Sequence, residues 1–296
     1  MFEKEPYDAV IVGAGAAGVG MAIALKDAGI ERFIVLERLM VGASFGCWPE
    51  ETRFITPSFP TNSVGMLDIN AVALGSSPAH ILGVEHPTGL DYAAYLNGVA
   101  KHYELPVREE VMVNGIVRKD GLFQLETSQG SLQAKNIVWA AGEFQFPKLN
   151  GFQGSQLCRH TALIPSYQEI EGDEIIVIGG YESGIDAAYH LSRRGKRVQL
   201  FDEGCPWASG SSDPSIALST YSQERMRQPH FGKNVELIPN TPVTAVSEKD
   251  GQYLVTTADG HSVRSDVSPL LAGGFVGGHQ LVAELFEQRG DGFPLL

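Results

Sequence analysis

Residues 7–37, YDAVIVGAGAAGVGMAIALKDAGIERFIVLE, determine the fold of this chain. An apolar, β-branched run leads into a glycine-rich turn, a helical pattern follows, and a second apolar run ends at an acidic residue. The pattern predicts a strand over 7–12, the turn Gly13-Ala14-Gly15-Ala16-Ala17-Gly18, a helix over 19–28, a strand over 32–36 and then Glu37. This is the order of a βαβ unit with a G-x-G-x-x-G turn.

Each part of this unit has a role in binding a dinucleotide. Gly13 permits the tight turn, Gly15 lets the backbone approach a pyrophosphate, and Gly18 lets the helix pack closely on the strand. The helix N-terminus offers unpaired N–H groups to the phosphates. Glu37 can accept hydrogen bonds from ribose hydroxyls and would repel a 2′-phosphate. The stretch therefore predicts a dinucleotide site; the alternative is a glycine-rich turn with only a structural role.

A second copy of the pattern follows later in the chain. It begins with an apolar strand over 173–178 and continues with a helix over 185–194, a strand over 197–201 and Asp202. Its turn is Gly179-Gly180-Tyr181-Glu182-Ser183-Gly184, in which Tyr181 replaces the second glycine. This copy is degenerate, and the repeat around it supports its assignment.

The repeat extends beyond the βαβ units. Residues 116–142 and 245–273 each have three strand patterns separated by two turns, and both end at an Ala-Gly pair, Ala141-Gly142 and Ala272-Gly273. The turns Asp120-Gly121 and Asp250-Gly251 are typical of tight hairpins. We therefore predict an α/β fold with two Rossmann-like domains, each a parallel sheet with a three-stranded β-meander, and two dinucleotide sites.

The composition excludes several classes of function. With 22 Lys+Arg and 35 Asp+Glu, the formal charge of the 296 residues is −13, which disfavours nucleic-acid binding. No apolar stretch is long enough to span a membrane and no signal peptide is evident, so we expect neither a membrane partner nor export. The three cysteines are far apart, with no C-x-x-C and no zinc spacing. A cytoplasmic protein without a metal site is therefore predicted.

The chain resembles the flavoproteins with two dinucleotide-binding domains, which include flavin-containing monooxygenases and enzymes of the thioredoxin/glutathione-reductase type. The resemblance rests on VIVGAGAAG with Glu37, IVWAAGEFQFP (137–147), VIGGYESG (177–184) and LLAGGF (270–275). The segment GASFGCWPEETRFITPSFPTNSVG (42–65) is most similar to that of bacterial flavin-containing monooxygenases.

The resemblance implies FAD at the first site and NADH or NADPH at the second. It implies an FAD-binding domain over 1–146 plus 274–296 and an NAD(P)H-binding domain over 147–273. Besides the first glycine-rich turn and Glu37, the implied FAD contacts are Arg38, Ser44, Trp48, Val113, Ala141 and Gly142. The implied NAD(P)H contacts are the second glycine-rich turn and Asp202. A small-molecule substrate and O2 are the expected partners, and homodimers are common in the family.

Three departures from the family leave the activity open. No redox dithiol is present, and Phe152, Gly154 and His160 match the monooxygenase signature between the domains only loosely. The family's flavin-closing segment after LLAGGF is not found before Leu296, so weaker FAD binding, or binding through its ADP half, is expected. A monooxygenase-like enzyme is the leading interpretation. The alternatives are a reductase or diaphorase without a dithiol, and a nucleotide-binding or redox-sensing module without turnover.

The catalytic residues are harder to predict than the cofactor sites. The first copy is longer than the second, mostly through extra residues within 41–105, and this aromatic, proline-rich stretch is expected beside the flavin. Cys47 is either a reactive thiol there or a small buried hydrophobe. Trp48 and Phe45 either stack on the flavin or fill the core. Arg53 either holds a flavin phosphate or pairs with Glu50 or Glu51.

Two features bear on the nicotinamide nucleotide. Asp202 is placed to accept a bond from a 2′-hydroxyl and to repel a 2′-phosphate, which favours NADH. The basic run Arg193, Arg194, Lys196 and Arg197 precedes it and could reach a phosphate, which favours NADPH. NADH is the preferred interpretation. The histidines at 80, 86, 160 and 190 are expected to be structural.

Overall fold

The computed structural model describes residues 2–59 and 68–290, and within it the chain divides into two compact units. Unit 1 comprises Met1–Gly46, Pro57–Phe146 and Val276–Leu296, and unit 2 comprises Cys47–Thr56 and Pro147–Phe275. Residues 60–67, in the stretch expected beside the flavin, and residues 291–296 lie outside the described residues. The short segment Cys47–Thr56 belongs to unit 2 although its neighbours in sequence on both sides belong to unit 1.

Unit 1 contains a six-stranded sheet with helices from the first half of the chain. Its elements are β1 (Tyr7–Val12), α1 (Ala16–Asp27), β2 (Phe33–Leu36), α2 (Ala43–Gly46), α3 (Pro78–Leu82), α4 (Gly89–His102), β3 (Val107–Arg108), β4 (Val113–Lys119), β5 (Leu122–Thr127) and β6 (Gly130–Trp139). The strand order is β3-β2-β1-β6-β5-β4. The first four of these strands run parallel to one another, and β5 and β4 complete an antiparallel meander with β6.

The ten-residue strand β6 joins the meander to the parallel sheet. Its N-terminal half pairs with β5, and its C-terminal half pairs with β1, where Ile137 lies beside Val10. The hairpin between β4 and β5 has positive φ at both Asp120 (51°) and Gly121 (81°), as a type I′ turn requires. The predicted meander is therefore present, but its last strand is continuous with the core sheet.

Unit 2 repeats this arrangement with its meander as a separate sheet. Its elements are β7 (Arg159–His160), β8 (Glu174–Ile178), α5 (Glu182–Arg193), β9 (Arg197–Phe201), α6 (Thr220–Met226), α7 (Pro229–Asn234), β10 (Val235–Ile238), β11 (Val243–Lys249), β12 (Gln252–Thr257), β13 (Ser262–Ser265) and β14 (Leu270–Leu271). The parallel sheet has the order β10-β9-β8-β14-β7, and β11, β12 and β13 form the meander. The predicted α/β fold with two Rossmann-like domains is confirmed.

The two copies match in detail. The Asp250-Gly251 hairpin has the same positive φ angles, 55° and 79°, as its counterpart in unit 1. Each meander also has a register shift near the start of its first strand, at Val113/Gly115 and at Val243/Ala245. Because such bulges bend a strand at a fixed position, their recurrence supports an internal duplication.

The helices that follow the two glycine-rich turns begin three residues earlier than the sequence pattern indicated. Helix α1 begins at Ala16 and α5 at Glu182, so each includes the last glycine of its turn. Sequence periodicity misses this first turn because its residues are small or polar. Among the described residues, no helix has both the length and the apolar character needed to cross a membrane.

Candidate functional site

The first glycine-rich turn connects β1 to α1 at the carboxyl edge of the parallel sheet. Gly13 has φ +105°, and a Cβ there would lie 2.3 Å from the carbonyl oxygen of Ala140. A Cβ at Gly18 would lie 1.9 Å from the carbonyl oxygen of Gly13. A Cβ at Gly15 would meet nothing within 4 Å. Two glycines are therefore required by the protein itself, and Gly15 leaves open space at the turn.

The N-terminus of α1 is suited to bind a pyrophosphate. Gly15 is the N-cap residue, and no side chain caps the helix. The first intrahelical bond runs from the N–H of Val19 to the carbonyl of Gly15, so the preceding N–H groups have no partner within the helix. These donors and the helix dipole favour an anion, and the open side at Gly15 would admit it.

Glu37 follows β2 and is fixed by two backbone amides. Its Oε2 accepts the N–H of Ala14 at 2.8 Å, and its Oε1 accepts the N–H of Leu39 at 2.9 Å. An ionised carboxylate has about four acceptor positions, so about two remain for the hydroxyls of a ribose. The first glycine-rich turn, the N-terminus of α1 and Glu37 together fit the adenosine diphosphate half of FAD.

The second glycine-rich turn has the same backbone geometry. Gly179 has φ +100°, and a Cβ there would lie 2.6 Å from the carbonyl oxygen of Ala272. A Cβ at Gly184 would lie 1.8 Å from the carbonyl oxygen of Gly179, which repeats the relation between Gly18 and Gly13. Gly180 is also required, because a Cβ there would lie 2.3 Å from the ring of Trp207.

Asp202 repeats the arrangement of the first acid. Its Oδ2 accepts the N–H of Gly180 at 2.6 Å and its Oδ1 accepts the N–H of Gly204 at 2.8 Å. In both units, then, the acid after the second strand binds the N–H that follows the first glycine of the turn and the N–H two residues after the acid itself. The two predicted ribose acids therefore accept equivalent pairs of backbone hydrogen bonds.

The second site differs from the first where its second glycine is replaced. Tyr181 is 37% exposed, and its hydroxyl donates to the carbonyl of Pro214 and lies 3.3 Å from that of Ala217. The carboxylate of Glu182, at the start of α5, accepts the N–H of Ser219 and the hydroxyl of Ser222, each at 2.5 Å. The residues around 214–222 therefore contact the N-terminus of α5.

The other predicted FAD residues fall mostly in unit 1. Arg38 and Ser44 are exposed, Val113 begins β4, and Ala141 and Gly142 follow β6. Gly278, from the C-terminal part of unit 1, lies against the end of β6. A Cβ at Gly278 would lie 2.2 Å from the carbonyl oxygen of Gly142, and the indole N–H of Trp139 donates to the carbonyl of Gly278 at 3.0 Å. Residues 276–290 thus pack on unit 1 beside the end of β6.

The three candidate catalytic residues lie together in Cys47–Thr56, in unit 2. Cys47 is exposed, so its interpretation as a small buried hydrophobe was wrong: apolar neighbours in sequence do not enclose it. The ring of Trp48 lies 5.1 Å from that of Phe54. Arg53 lines a cleft with Glu50 and Glu51, and Glu51 is ion-paired with Arg194 at 3.4 Å.

Unit 2 contains a buried charged cluster that the sequence analysis did not predict. Asp186, on α5, is ion-paired with Arg225 of α6, and its Oδ1 lies 3.4 Å from Nε2 of His190, one turn along the same helix. Its Oδ2 accepts the hydroxyl of Thr52 at 2.7 Å. Burial acts to raise the pKa of Asp186, but the bond and charge of His190 and the charge of Arg225 hold it below its ordinary value. The i, i+4 spacing of Asp186 and His190 was the available signal.

The residues of the loose monooxygenase signature have structural contacts. A Cβ at Gly154 would lie 1.8 Å from the carbonyl oxygen of Val246, so glycine is required for β11 to approach. His160 Nδ1 accepts the N–H of Ala162, and its Nε2 lies 3.0 Å from the carbonyl of Gly274. These contacts fit a neutral ring with its proton on Nε2, and burial lowers the pKa of this histidine.

The curated proteins similar to this chain include an uncharacterized oxidoreductase and a reductase. The chain is 26% identical to uncharacterized oxidoreductase CzcO of Bacillus subtilis over 196 residues, 63% of this chain and 52% of that one. It is 25% identical to bacilliredoxin reductase Bdr of the same organism over 243 residues, 79% of this chain and 69% of that one. The chain spans about half the length of the first curated relatives it matches.

Solved structures agree on the fold. Bacillithiol disulfide reductase Bdr of Staphylococcus aureus superposes with a TM-score of 0.76 at 18% identity, covering 94% of this chain and 79% of that one. A flavin-containing monooxygenase from Stenotrophomonas maltophilia gives 0.75 at 17% identity, covering 99% and 85%. A family model matches residues 10–296, and membership implies FAD and NAD(P)H as cofactors. The chain belongs to the pyridine nucleotide-disulphide oxidoreductase family.

Proposed function

We propose that this chain is an FAD-dependent oxidoreductase that accepts hydride from NAD(P)H, and that it is a flavin-containing monooxygenase-like enzyme acting on a small molecule. The observation that carries the proposal is the repeated acid site, in which Glu37 and Asp202 are each bound by two backbone amides. Hydride transfer from a nicotinamide to a flavin needs a binding site for each cofactor, and two dinucleotide sites in one chain would supply both.

When bound, FAD supplies the acceptor for the hydride and the route by which electrons leave. The residues of this chain bind and orient the cofactors. The N-terminus of α1 binds the pyrophosphate and Glu37 the ribose of FAD, and Asp202 binds the ribose of the nicotinamide nucleotide. Asp202 also disfavours a 2′-phosphate, so NADH is the proposed donor.

The cysteines support the monooxygenase branch, with O2 as the electron acceptor, over a disulfide relay. All three cysteines are free thiols, and their positions, 47, 158 and 205, form neither a C-x-x-C nor a C-x-x-x-x-C pair. Burial raises the pKa of Cys158 to about 11, so its thiolate is scarce at neutral pH. Free thiols also accord with the proposed location in the cytoplasm.

Two other candidates each have one observation in their favour. The relative named bacilliredoxin reductase supports a reductase or diaphorase that lacks a dithiol of its own. The replacement of the second glycine by Tyr181, with its hydroxyl bonded to the 214–217 backbone, supports a nucleotide-binding or redox-sensing module without turnover.

The first experiment is the visible spectrum of the full chain loaded with FAD, followed by anaerobic addition of NADH and then of NADPH. The proposal expects flavin bands that bleach with NADH. Retained bands that neither nucleotide bleaches would favour the module without turnover. Readmission of O2 separates the two enzymes, because a monooxygenase yields an oxygenated product with a suitable small molecule, whereas a reductase yields only peroxide or a reduced acceptor.

The preference for NADH has its own test. Replacement of Asp202 by serine removes the charge that repels a 2′-phosphate, so the ratio of NADH to NADPH activity should fall. An unchanged ratio would refute the role of Asp202 while leaving the flavin site in place.

A further inference from the structure

The C-terminal half of α5 with Arg194 directly after it, helix α6 and the segment Cys47–Thr56 line a cleft of about 550 Å³ within unit 2. Four arginines from these three parts of the chain line it: Arg53, Arg193, Arg194 and Arg225. Arg225 is buried, whereas the other three are exposed.

Arginines outnumber the carboxylates that accompany them in this cleft. Arg225 is ion-paired with Asp186 beneath the surface, and Arg194 lies 3.4 Å from Glu51. Glu50 is the other acidic residue in the lining. The formal charge is therefore positive, four guanidinium groups to three carboxylates, in a chain with a formal charge of −13. A locally positive cleft on an acidic protein attracts anions that the rest of the surface repels.

The parts that carry these arginines are held in place. The guanidinium group of Arg225 lies 4.6 Å from the ring of Tyr189 and 4.2 Å from that of Tyr221. Glu51 accepts the hydroxyl of Ser166 at 2.8 Å and the N–H of Tyr167 at 3.1 Å, which fixes the segment that carries Arg53. Because the surroundings are already ordered, a ligand would cost less conformational entropy to bind.

The cleft is separate from the dinucleotide site of the same unit. Helix α5 has 12 residues. At 1.5 Å per residue it is about 18 Å long, with the glycine-rich turn at its N-terminus and the cleft at its C-terminal end. Positive charges at the C-terminus of a helix interact favourably with its dipole, which would explain Arg193 and Arg194 at the end of α5. It does not explain Arg53, which reaches the same cleft from a different part of the chain.

We propose that this cleft is a binding site for a small organic oxyanion, a carboxylate or a phosphate, held by Arg53, Arg193 and Arg194. The planar guanidinium fork pairs with both groups through two parallel hydrogen bonds, and several forks around one cleft suit a ligand with more than one oxygen to share. The polar lining, with few apolar side chains, fits a compact anion better than a large apolar ligand.

Isothermal titration calorimetry of the full chain tests the site, with citrate as the carboxylate probe and inorganic phosphate as the phosphate probe. Excess ADP-ribose is included to occupy the dinucleotide sites. We expect at least one probe to bind saturably, and the probe that binds identifies the group. Loss of a charge-assisted bond should weaken binding about tenfold or more in Arg53→Gln and in Arg193→Gln.

Arg197→Gln is the matched control, because it removes one charge from the same basic run. Arg197 is exposed, is paired with Glu174 and does not line the cleft. It should bind the probe like the parent. The inference is overturned if neither probe binds saturably in the presence of ADP-ribose. It is also overturned if Arg197→Gln weakens binding as much as Arg193→Gln, or if Arg53→Gln and Arg193→Gln bind like the parent. Equal melting temperatures without probe establish that the variants are folded.

Discussion

Replacement of Glu37 by glutamine tests whether this carboxylate binds the adenine-side ribose of FAD. The two carboxylate oxygens accept the N–H groups of Ala14 and Leu39 at 2.8 and 2.9 Å. Glutamine keeps only one oxygen, so one N–H group would face the NH2 of the new side chain. Ala14 is buried and Leu39 is 48% exposed, so we expect the oxygen to stay with Ala14 and water to replace the bond at Leu39.

The effect on FAD binding should exceed the effect on stability. The amide has lost acceptor positions and its negative charge, so we count one lost hydrogen bond between a ribose hydroxyl and a charged group. Such a bond contributes about 1.5–3 kcal/mol. This corresponds to a dissociation constant raised about 10- to 150-fold. Quenching of flavin fluorescence, with the apoprotein titrated into FAD, measures it directly.

The duplication supplies the matched control. Asp202→Asn makes the same change at the second acid, whose amide partners lie at 2.6 and 2.8 Å. It should weaken NADH binding by a similar factor and leave FAD binding unchanged. The reasoning fails if Glu37→Gln, melting like the parent, binds FAD within about twofold of it, a difference too small for one such bond, or if Asp202→Asn weakens FAD equally.

Three further predictions concern packing, charge and thiol reactivity. In Gly18→Ala the new methyl group would lie 1.9 Å from a carbonyl oxygen, so we expect lost FAD binding and, by urea unfolding, a stability lower by about 1–3 kcal/mol or more. Gly98→Ala, on the exposed face of α4 with nothing within 4 Å, should instead raise stability by about 0.5–1 kcal/mol. Burial acts to raise the pKa of Glu51, but its hydrogen bonds hold that pKa below the ordinary value. The contribution of Glu51 to stability is therefore present above about pH 4.3 and is lost as the pH falls through the folded-state pKa. The free energy of unfolding in urea, measured from pH 6 downward, should depend less on pH in Glu51→Gln than in the parent, and equal slopes would contradict this. Iodoacetamide at pH 8 should alkylate exposed Cys47 while Cys158 reacts only after unfolding, and mass spectrometry that finds Cys158 modified first would contradict its burial.

The fold was predictable because its determinants are local. A glycine that needs positive φ, such as Gly13 or Gly179, stands directly after a run of β-branched residues, and the acid follows one helix and one strand later. The Asp-Gly hairpins are likewise encoded in adjacent residues. Such signals need only a short window of sequence, so strands, turns and both acids were found.

The remaining features depend on contacts between distant parts of the chain. The hydrogen bond from Thr52 to Asp186 joins residues 134 positions apart, and no periodicity indicates it. The membership of Cys47–Thr56 in unit 2, and with it the cleft that Arg53 shares with the end of α5, could not be read from the order of motifs. The exposure of Cys47 is of the same kind, because it depends on where the whole segment lies.

The placement of Cys47–Thr56 also limits how this protein can be divided or recombined. A gene fragment cut at the repeat boundary, encoding 147–275, would carry the buried Asp186 without the hydroxyl of Thr52 and would carry Ser166 without Glu51. Exchange of the second module between homologous genes would separate the same pairs. Inheritance of the two modules as one continuous gene is therefore favoured, although each has the sequence pattern of an independent cassette.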